Sequence, residues 1–296
     1  MTLDDLRVFV AVCEAGSLSA VARDLDRSQS AVSQHVKRLE RETGLALLER
    51  RPRGVSPTEA GRVLHRAAAE GIAGLTAALA RLDDLRRGVG GTVRIATGAT
   101  TVRHFMAGGI ADFRARHPGV ALEFVTADSS RRCLEAVRAH DADLAWVTIG
   151  PDADGVEQRP ACRLPWVLAV HVSDPLSARS SLRLDELSGI HRIRLPEHST
   201  SRRHLDAQLE RHGVRTTSSA SVADWDTALL LAELGLGHAI LPALPGLKHG
   251  PGSVVRLVPI PGLAPLSAGW AARRWDALTP VALEFASTVI RHLAAE

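Results

Sequence analysis

Residues 17–53, SLSAVARDLDRSQSAVSQHVKRLERETGLALLERRPR, constrain the fold of this chain more than any other stretch. Ser17 can cap a helix in which Leu18, Val21, Ala22 and Leu25 recur at helical spacing. Asp26-Arg27 interrupts that pattern, and Ser28 can cap a second helix whose Val32, Val36 and Leu39 must face a core. The opposite stripe carries Ser30, Ser33, Gln34, Lys37 and Arg41, with Ser28 and Gln29 at its start. Short polar side chains near a helix N-terminus suit base edges in a major groove, and cations further along suit phosphates. Residues 27–53 hold seven Lys/Arg against three Glu, a local balance of +4, while the whole chain carries +3. The charge alone fits a solvated helical hairpin equally well. Caps, core stripe and polar stripe together point to a helix-turn-helix.

LRVFVAVCEAGSLSAVARDL, SQSAVSQHVKRLE and TGLALLERRPRGVSPTEAG are similar to the winged helix-turn-helix of LysR-type transcriptional regulators across almost all of the first sixty residues. Ser30 stands where many members have proline, and Leu48 where phenylalanine is common. The resemblance implies a sequence-specific double-stranded-DNA-binding regulator, not an enzyme, with no cofactor or metal. It also implies a homodimer assembled further into a tetramer, and a small-molecule effector bound by a periplasmic-binding-protein-like α/β domain.

The chain is long enough for two or three cored domains, at 296 residues with 45% hydrophobic residues and mean hydropathy +0.02. Lysine occurs only at 37 and 248, so the basic character is arginine's. The start, MTLDDL, does not read as a signal peptide, and the apolar run at 228–244 is broken by Glu233 and His238. Three cysteines, Cys13, Cys133 and Cys162, fit reduced thiols in a cytoplasm. A redox pair of Cys133 and Cys162 is a weak alternative, as is a metal site at His198 with His204 or His212.

In chain order, residues 5–14 form a helix with Leu6, Phe9, Val10 and Cys13 as its core stripe, ended by Gly16. Leu45, Leu47 and Leu48 read as the strand of a wing whose turn carries Arg50, Arg51 and Arg53; an arginine there enters a minor groove or simply contacts a phosphate. Ser56–Glu59 reads as a capping box with Pro57 at the first helical position, opening a long helix to about residue 86. Along it Ala68, Ile72, Leu75, Leu79 and Leu82 keep heptad spacing, a dimerisation seam by the family resemblance. Gly88, Gly90 and Gly91 supply a hinge.

From Thr92 strands alternate with helices, which argues for parallel sheets covered on both faces. Strands are expected at 93–97, 120–127, 142–149, 167–171, 192–195, 216–222, 238–241 and 256–259, and helices at 101–117, 130–140, 201–212, 224–234 and 279–294. The expected organisation is a DNA-binding domain at 1–57, a linker helix and hinge at 58–91, one α/β subdomain at 92–163 with 266–296, and a second at 164–265. Ligands in such units sit beyond strand carboxyl ends. That rule selects Thr100, Thr101, Ser129, Ser130, Thr148, Pro196, Ser199, Thr200 and Asp224 as effector-binding candidates, each of which could equally be a helix cap. Arg103, Arg131, Arg132, Arg202 and Arg203 lie near them in sequence and suggest an anionic effector. The competing readings are an effector-independent DNA binder and a binding protein or enzyme built on the same α/β unit.

Overall fold

The computed structural model describes residues 1–52, 54–86, 90–151, 153–247 and 253–295 and divides into two compact units, Met1–Asp83 and Asp84–Glu296. The first unit opens with α1 (Leu3–Ala15), capped reciprocally by Thr2 and Asp5. Its buried stripe is Asp5, Val8, Phe9 and Val12. The expected stripe was rotated: Leu6, Val10 and Cys13 are half-buried, because the helix is gripped on two sides. Val8 and Val12 meet Val21, Ala22 and Val32 on one side, and Phe9 meets Val36, Leu39 and Leu47 on the other.

Ser17 caps α2 (Leu18–Asp24), where Val21 and Ala22 are buried but Leu25, beyond the last turn, stays 43% exposed. Ser28 caps α3 (Gln29–Thr43), which buries Val32, Val36 and Leu39 and ends at left-handed Gly44. The wing is a hairpin of β1 (Leu48–Arg51) and β2 (Gly54–Pro57), with Leu48 opposite Pro57. It docks on the end of α1, where Val55 N–H donates to the Gly16 carbonyl at 2.9 Å. A Cβ on Gly54 would lie 2.2 Å from that oxygen, so the position requires glycine.

The long helix α4 (Glu59–Arg86) ends where expected but starts two residues later than Pro57, and its 28 residues span about 42 Å at 1.5 Å per residue. Its cap differs from the expected one. Thr58 accepts from Gly61 N–H at 3.0 Å and donates to the Ala46 carbonyl at 2.7 Å. Ser56 stays in the wing, hydrogen-bonded to Arg51 and Glu49, and Pro57 belongs to β2. The wing's second strand takes the residues that the capping-box reading had assigned to the helix.

The second unit begins with β3 (Thr92–Thr97) and α5 (Ala99–Thr101), which continues through one wide helical turn, Val102–Met106, into α6 (Ala107–Arg116). Then come β4 (Ala121–Thr126), α7 (Ser130–Arg138), β5 (Leu144–Thr148), β6 (Glu157–Leu164) and β7 (Trp166–His171). β8 (His191–Arg194), α8 (Thr200–Arg211), β9 (Thr217–Ser221), α9 (Trp225–Glu233) and β10 (His238–Pro242) follow. The chain finishes with β11 (Val255–Pro259), β12 (Leu266–Ala272) and α10 (Pro280–Ala295).

These strands make two five-stranded sheets, in the orders β4-β3-β5-β12-β6 and β11-β7-β10-β8-β9. Both are mixed, not wholly parallel as expected. β3 pairs parallel with β4 and β5, and β8 with β9 and β10, but β12 and β7 run antiparallel to their neighbours. Two strands were not anticipated. β6 is a sheet edge carrying Arg159, Pro160 and Arg163, so it lacks a buried pattern. β12 is built largely of small residues, and its Gly269 leaves room for the β6 backbone, where a Cβ would lie 2.2 Å from the Arg159 carbonyl. One continuous apolar cluster runs through both sheets, with Trp166, Trp270, Phe113 and Phe285 fully buried.

Candidate functional site

The first candidate surface is one face of α3. Ser28, Gln29, Ser30, Gln34, Lys37 and Arg41 are exposed and Ser33 is half-buried, opposite the buried Val32, Val36 and Leu39. Ser28 Oγ accepts from Ala31 N–H at 3.2 Å and lies 2.9 Å from Ser30 Oγ. Capping therefore occupies Ser28 and leaves the rest of the stripe to solvent.

What aims this helix is a charged cluster that periodicity did not reveal. Asp5 on α1 is fully buried, and its Oδ1 accepts from His35 Nδ1 at 2.7 Å and Arg38 Nη1 at 3.0 Å. Burial opposes the charge, but hydrogen bonds from His35 and Thr2, with the Arg38 charge, outweigh it and hold the carboxyl at about 2. Arg27 is drawn to Asp4 at 2.9 Å. Two of the seven cations counted in the sequence, Arg27 and Arg38, are therefore committed to positioning the helix. The available signal was the acidic pair at the start of α1 and the i, i+3 spacing of His35 and Arg38, but neither names its partner.

On the wing, Arg51 pairs with Glu49 at 2.5 Å and with Ser56 at 3.0 Å, while Arg50 is exposed. Arg53 lies outside the described residues, as does the hinge glycine Gly88. On α4, Ala68 is buried and Ile72 half-buried, whereas Leu75, Leu79 and Leu82 are 52%, 61% and 61% exposed in the single chain.

The second candidate site is a cavity of about 180 Å³ between the two sheets of the second unit. It gathers Thr100, Thr101, Ser129, Ser130, Thr148, Ser199, Thr200 and Asp224, eight of the nine expected effector-binding residues, around four helix starts. Ser129, Ser199 and Asp224 cap α7, α8 and α9 by accepting from Arg132, Arg202 and Thr227 N–H. Ser130 Oγ accepts from Thr148 N–H at 3.0 Å, tying α7 to the end of β5. Thr100 does not cap its helix; its Oγ donates to Asp226 at 3.1 Å. Phe105, Trp146 and Trp225 form the apolar wall, with the first two rings 5.3 Å apart. Asp128, Ser201 and Leu244 also line the cavity; Asp128 and Ser201 stand after a strand end and at a helix start, where the sequence rule looks, whereas the aromatic residues and Leu244 carry no such signal.

Pro196 does not join the lining; its carbonyl accepts the Ser199 amide at 3.0 Å and shapes the turn before α8. The arginine argument for an anionic effector also falls. Among the described residues no Lys or Arg lines the cavity. Arg131 and Arg132 pair with Glu135 and Asp128, Arg202 with Asp206 and the Leu195 carbonyl, and Arg203 is exposed. Arg103 lines a different cavity beside His292. An anionic group in the cleft would instead meet hydroxyls and the N–H groups of first helical turns.

Cys133 lines the cleft, but burial pushes its thiol up to about 12; burial likewise holds Cys162 at about 11, and Cys13, with help from the Glu14 charge, at about 11. Such thiols carry little thiolate near neutrality and are poor redox sensors. Among the described residues no group of three His, Cys, Asp or Glu side chains is placed to hold a metal ion, and no helix is long and apolar enough to cross a membrane.

Residues 3–62 match the bacterial regulatory helix-turn-helix protein, lysR family, and residues 86–294 match the LysR substrate binding domain. The chain is 30% identical over 246 residues to the HTH-type transcriptional regulator BudR of Raoultella terrigena, covering 82% of this chain and 84% of BudR. It is 31% identical over 231 residues to the RuBisCO operon transcriptional regulator of Allochromatium vinosum, covering 75% of each. Its fold is similar to that of full-length CbnR complexed with its target DNA, with a TM-score of 0.65 at 22% identity, covering 98% of this chain and 99% of CbnR.

Proposed function

The chain belongs to the LysR family of DNA-binding transcriptional regulators, and we propose that a small molecule held in the cleft of its second unit sets how it occupies DNA. Gln29, Ser30, Ser33 and Gln34 read base edges in the major groove; Lys37, Arg41 and Arg51 contact phosphates, Ser28 presents the helix start, and Arg53 reaches the flanking backbone or minor groove. The protein works in the cytoplasm, and its output is occupancy of DNA rather than a chemical reaction.

In this reading residues 1–57 bind DNA and 58–91 form the linker and hinge. Residues 92–163 with 266–296, and 164–265, are the two halves that close on the effector. Ile72, Leu75, Leu79 and Leu82 form the dimer seam, since three leucines in heptad register that stay more than half exposed in one chain need an apolar partner. Two such dimers assemble through their α/β units into a tetramer. Effector binding favours one arrangement of that assembly, and its differential affinity for the two arrangements limits the size of the response.

The single observation that carries the effector reading is the convergence of four helix starts and ten short hydroxyl or carboxylate side chains on one partly apolar cavity. The cavity is smaller than the roughly 300–1,000 Å³ of drug-sized sites, so the ligand is a small metabolite. Thr100, Thr101, Ser129, Ser130, Thr148, Ser199, Thr200 and Asp224 supply its polar contacts. Genome-wide mapping of bound sites, followed by calorimetric titration of metabolites from the neighbouring operons, tests the proposal. A metabolite that binds and shifts operator affinity supports it; operator affinity indifferent to every metabolite that binds the protein makes this an effector-independent DNA binder.

A further inference from the structure

A second cavity, of about 590 Å³, lies along the C-terminal half of α8, whose first turn lines the effector cleft, and is lined by Arg192, Arg194, Asp206, Glu210 and Arg215 among others. β8 is an interior strand of its sheet, paired with β10 on one side and the edge strand β9 on the other. Strand alternation puts Arg192 and Arg194, two residues apart, on the same face. Charged residues are seldom placed in an interior strand unless something answers their charge. Arg192 is only 3% exposed. Its Nη2 donates to Asp206, a carboxylate it shares with Arg202, whose Nε donates to the same group at 3.1 Å.

The remaining nitrogens of Arg192, Nε and Nη1, have no partner, and neither does Nε of Arg194. On Arg192 alone these account for three of the five N–H donors of a guanidinium. Burial pulls the Arg192 guanidinium below its usual range, and Asp206 offsets that only in part. Three guanidinium groups thus face two carboxylates across this cavity, and one of those carboxylates is also held by Arg202. Leu209 and Val214, both buried, add an apolar wall.

We propose that this cavity is a second ligand site, distinct from the effector cleft, for a phosphate-type oxyanion, either free or as a small phosphate monoester. A tetrahedral oxyanion offers several acceptors and up to two charges, and guanidinium groups bind it in paired, charge-assisted hydrogen bonds. The apolar wall accommodates the organic part of an ester. The effector cleft has no arginine in its described lining and would offer an anion only hydroxyls and amide N–H groups, so the Thr100→Val variant tells the two sites apart. Because Asp206 and Arg202 both belong to α8, an oxyanion that draws Arg192 away from Asp206 acts on the helix whose first turn lines the effector cleft.

The test is a thermal-shift and calorimetric titration of the full chain with inorganic phosphate, against chloride and acetate at matched ionic strength. Wild type should show a saturable rise in Tm with phosphate beyond the matched controls. Arg194→Gln and Arg215→Gln should each weaken phosphate binding at least tenfold, while Thr100→Val in the effector cleft should leave it unchanged. Arg215 is exposed, so its variant should fold normally even if the Arg194 variant does not. Glycerol 3-phosphate binding more tightly than phosphate identifies the ester as the ligand, and weaker binding identifies the free anion. A wild-type Tm indistinguishable from the controls means that water alone fills the cavity and overturns the proposal. A phosphate shift unchanged in both arginine variants places the anion on the DNA-binding face and overturns it equally.

Discussion

Thr100 and Asp226 meet across the effector cleft, 126 residues apart in sequence, through a 3.1 Å hydrogen bond from the threonine hydroxyl to the carboxylate. The other oxygen of Asp226 takes His104 Nε2 at 2.8 Å, and His104 Nδ1 lies 3.3 Å from the Pro245 carbonyl. β3 leads into the helix that carries Thr100 and His104, whereas Asp226 and Pro245 flank β10 in the other sheet. The contact therefore straps the two halves together. An effector that engages the Thr100 hydroxyl competes directly with Asp226, which gives ligand binding a mechanical consequence.

Replacing Thr100 with Val keeps the side chain's shape and removes its donor. Effector affinity should fall by about 1–3 kcal/mol, and operator affinity without effector should match wild type. Calorimetry with the identified metabolite and anisotropy with labelled operator measure the two effects separately. Wild-type effector affinity in the variant would reduce Thr100 to a strap residue and leave Ser129 and Thr200 to carry the site.

Asp5 aims the recognition helix from a buried position, so its substitution should act on both stability and DNA binding. Asp5→Asn should destabilise the first unit by about 1–3 kcal/mol, the cost of weakening hydrogen bonds to a charged group. Arg38 retains enough exposure, 40%, to stay hydrated, which keeps the loss from being larger. The carboxyl is held at about 2 in the fold against 3.8 ordinarily. A depressed carboxyl contributes its full stability above the unfolded value and loses it as pH falls through the folded one. The stability of wild type should therefore drop between about pH 4 and pH 2, and the Asn variant should show a shallower slope there. Denaturant unfolding followed across that range would reveal an unchanged slope if Asp5 were not the group responsible.

Ser33 sits half-buried in the exposed stripe of α3, one turn from Ser30 and Lys37. Ser33→Ala should cost about 1–3 kcal/mol of operator binding, the range for a good base contact. Binding to unrelated duplex should be untouched. Equal losses on both duplexes would assign Ser33 to the phosphate backbone instead.

Leu75 and Leu79 are one helical turn apart on α4 and project from it in the single chain. Replacing both with Asp should split the dimer and abolish operator binding at the same concentrations, as judged by light scattering and anisotropy. A double variant that remained dimeric would move the main interface elsewhere on the chain.

Local sequence alone determined the elements whose ends are chemical. Ser17, Ser28, Ser129, Ser199 and Asp224 each cap a helix because a cap needs only one short acceptor three residues before an amide. The same locality made the polar stripe of α3, the heptads of α4 and eight of the nine cleft candidates legible, since strand ends and helix starts mark the cleft wherever the sheets lie.

Tertiary structure decided everything that depends on a partner distant in the chain. It turned α1 so that Asp5 meets His35 and Arg38, passed the cap of α4 from Ser56 to Thr58 once β2 needed Ser56 and Pro57, and made strands of the polar β6 and small-residue β12. It withdrew Pro196 and the five arginines from the effector cleft, and it buried Arg192 with nitrogens unpaired beside a different cavity. The physical reason is range. Capping and periodicity act within a turn or two of helix, whereas a charge or a sheet edge is satisfied by whatever group the fold brings within about 3 Å, and no local spacing encodes which group that will be.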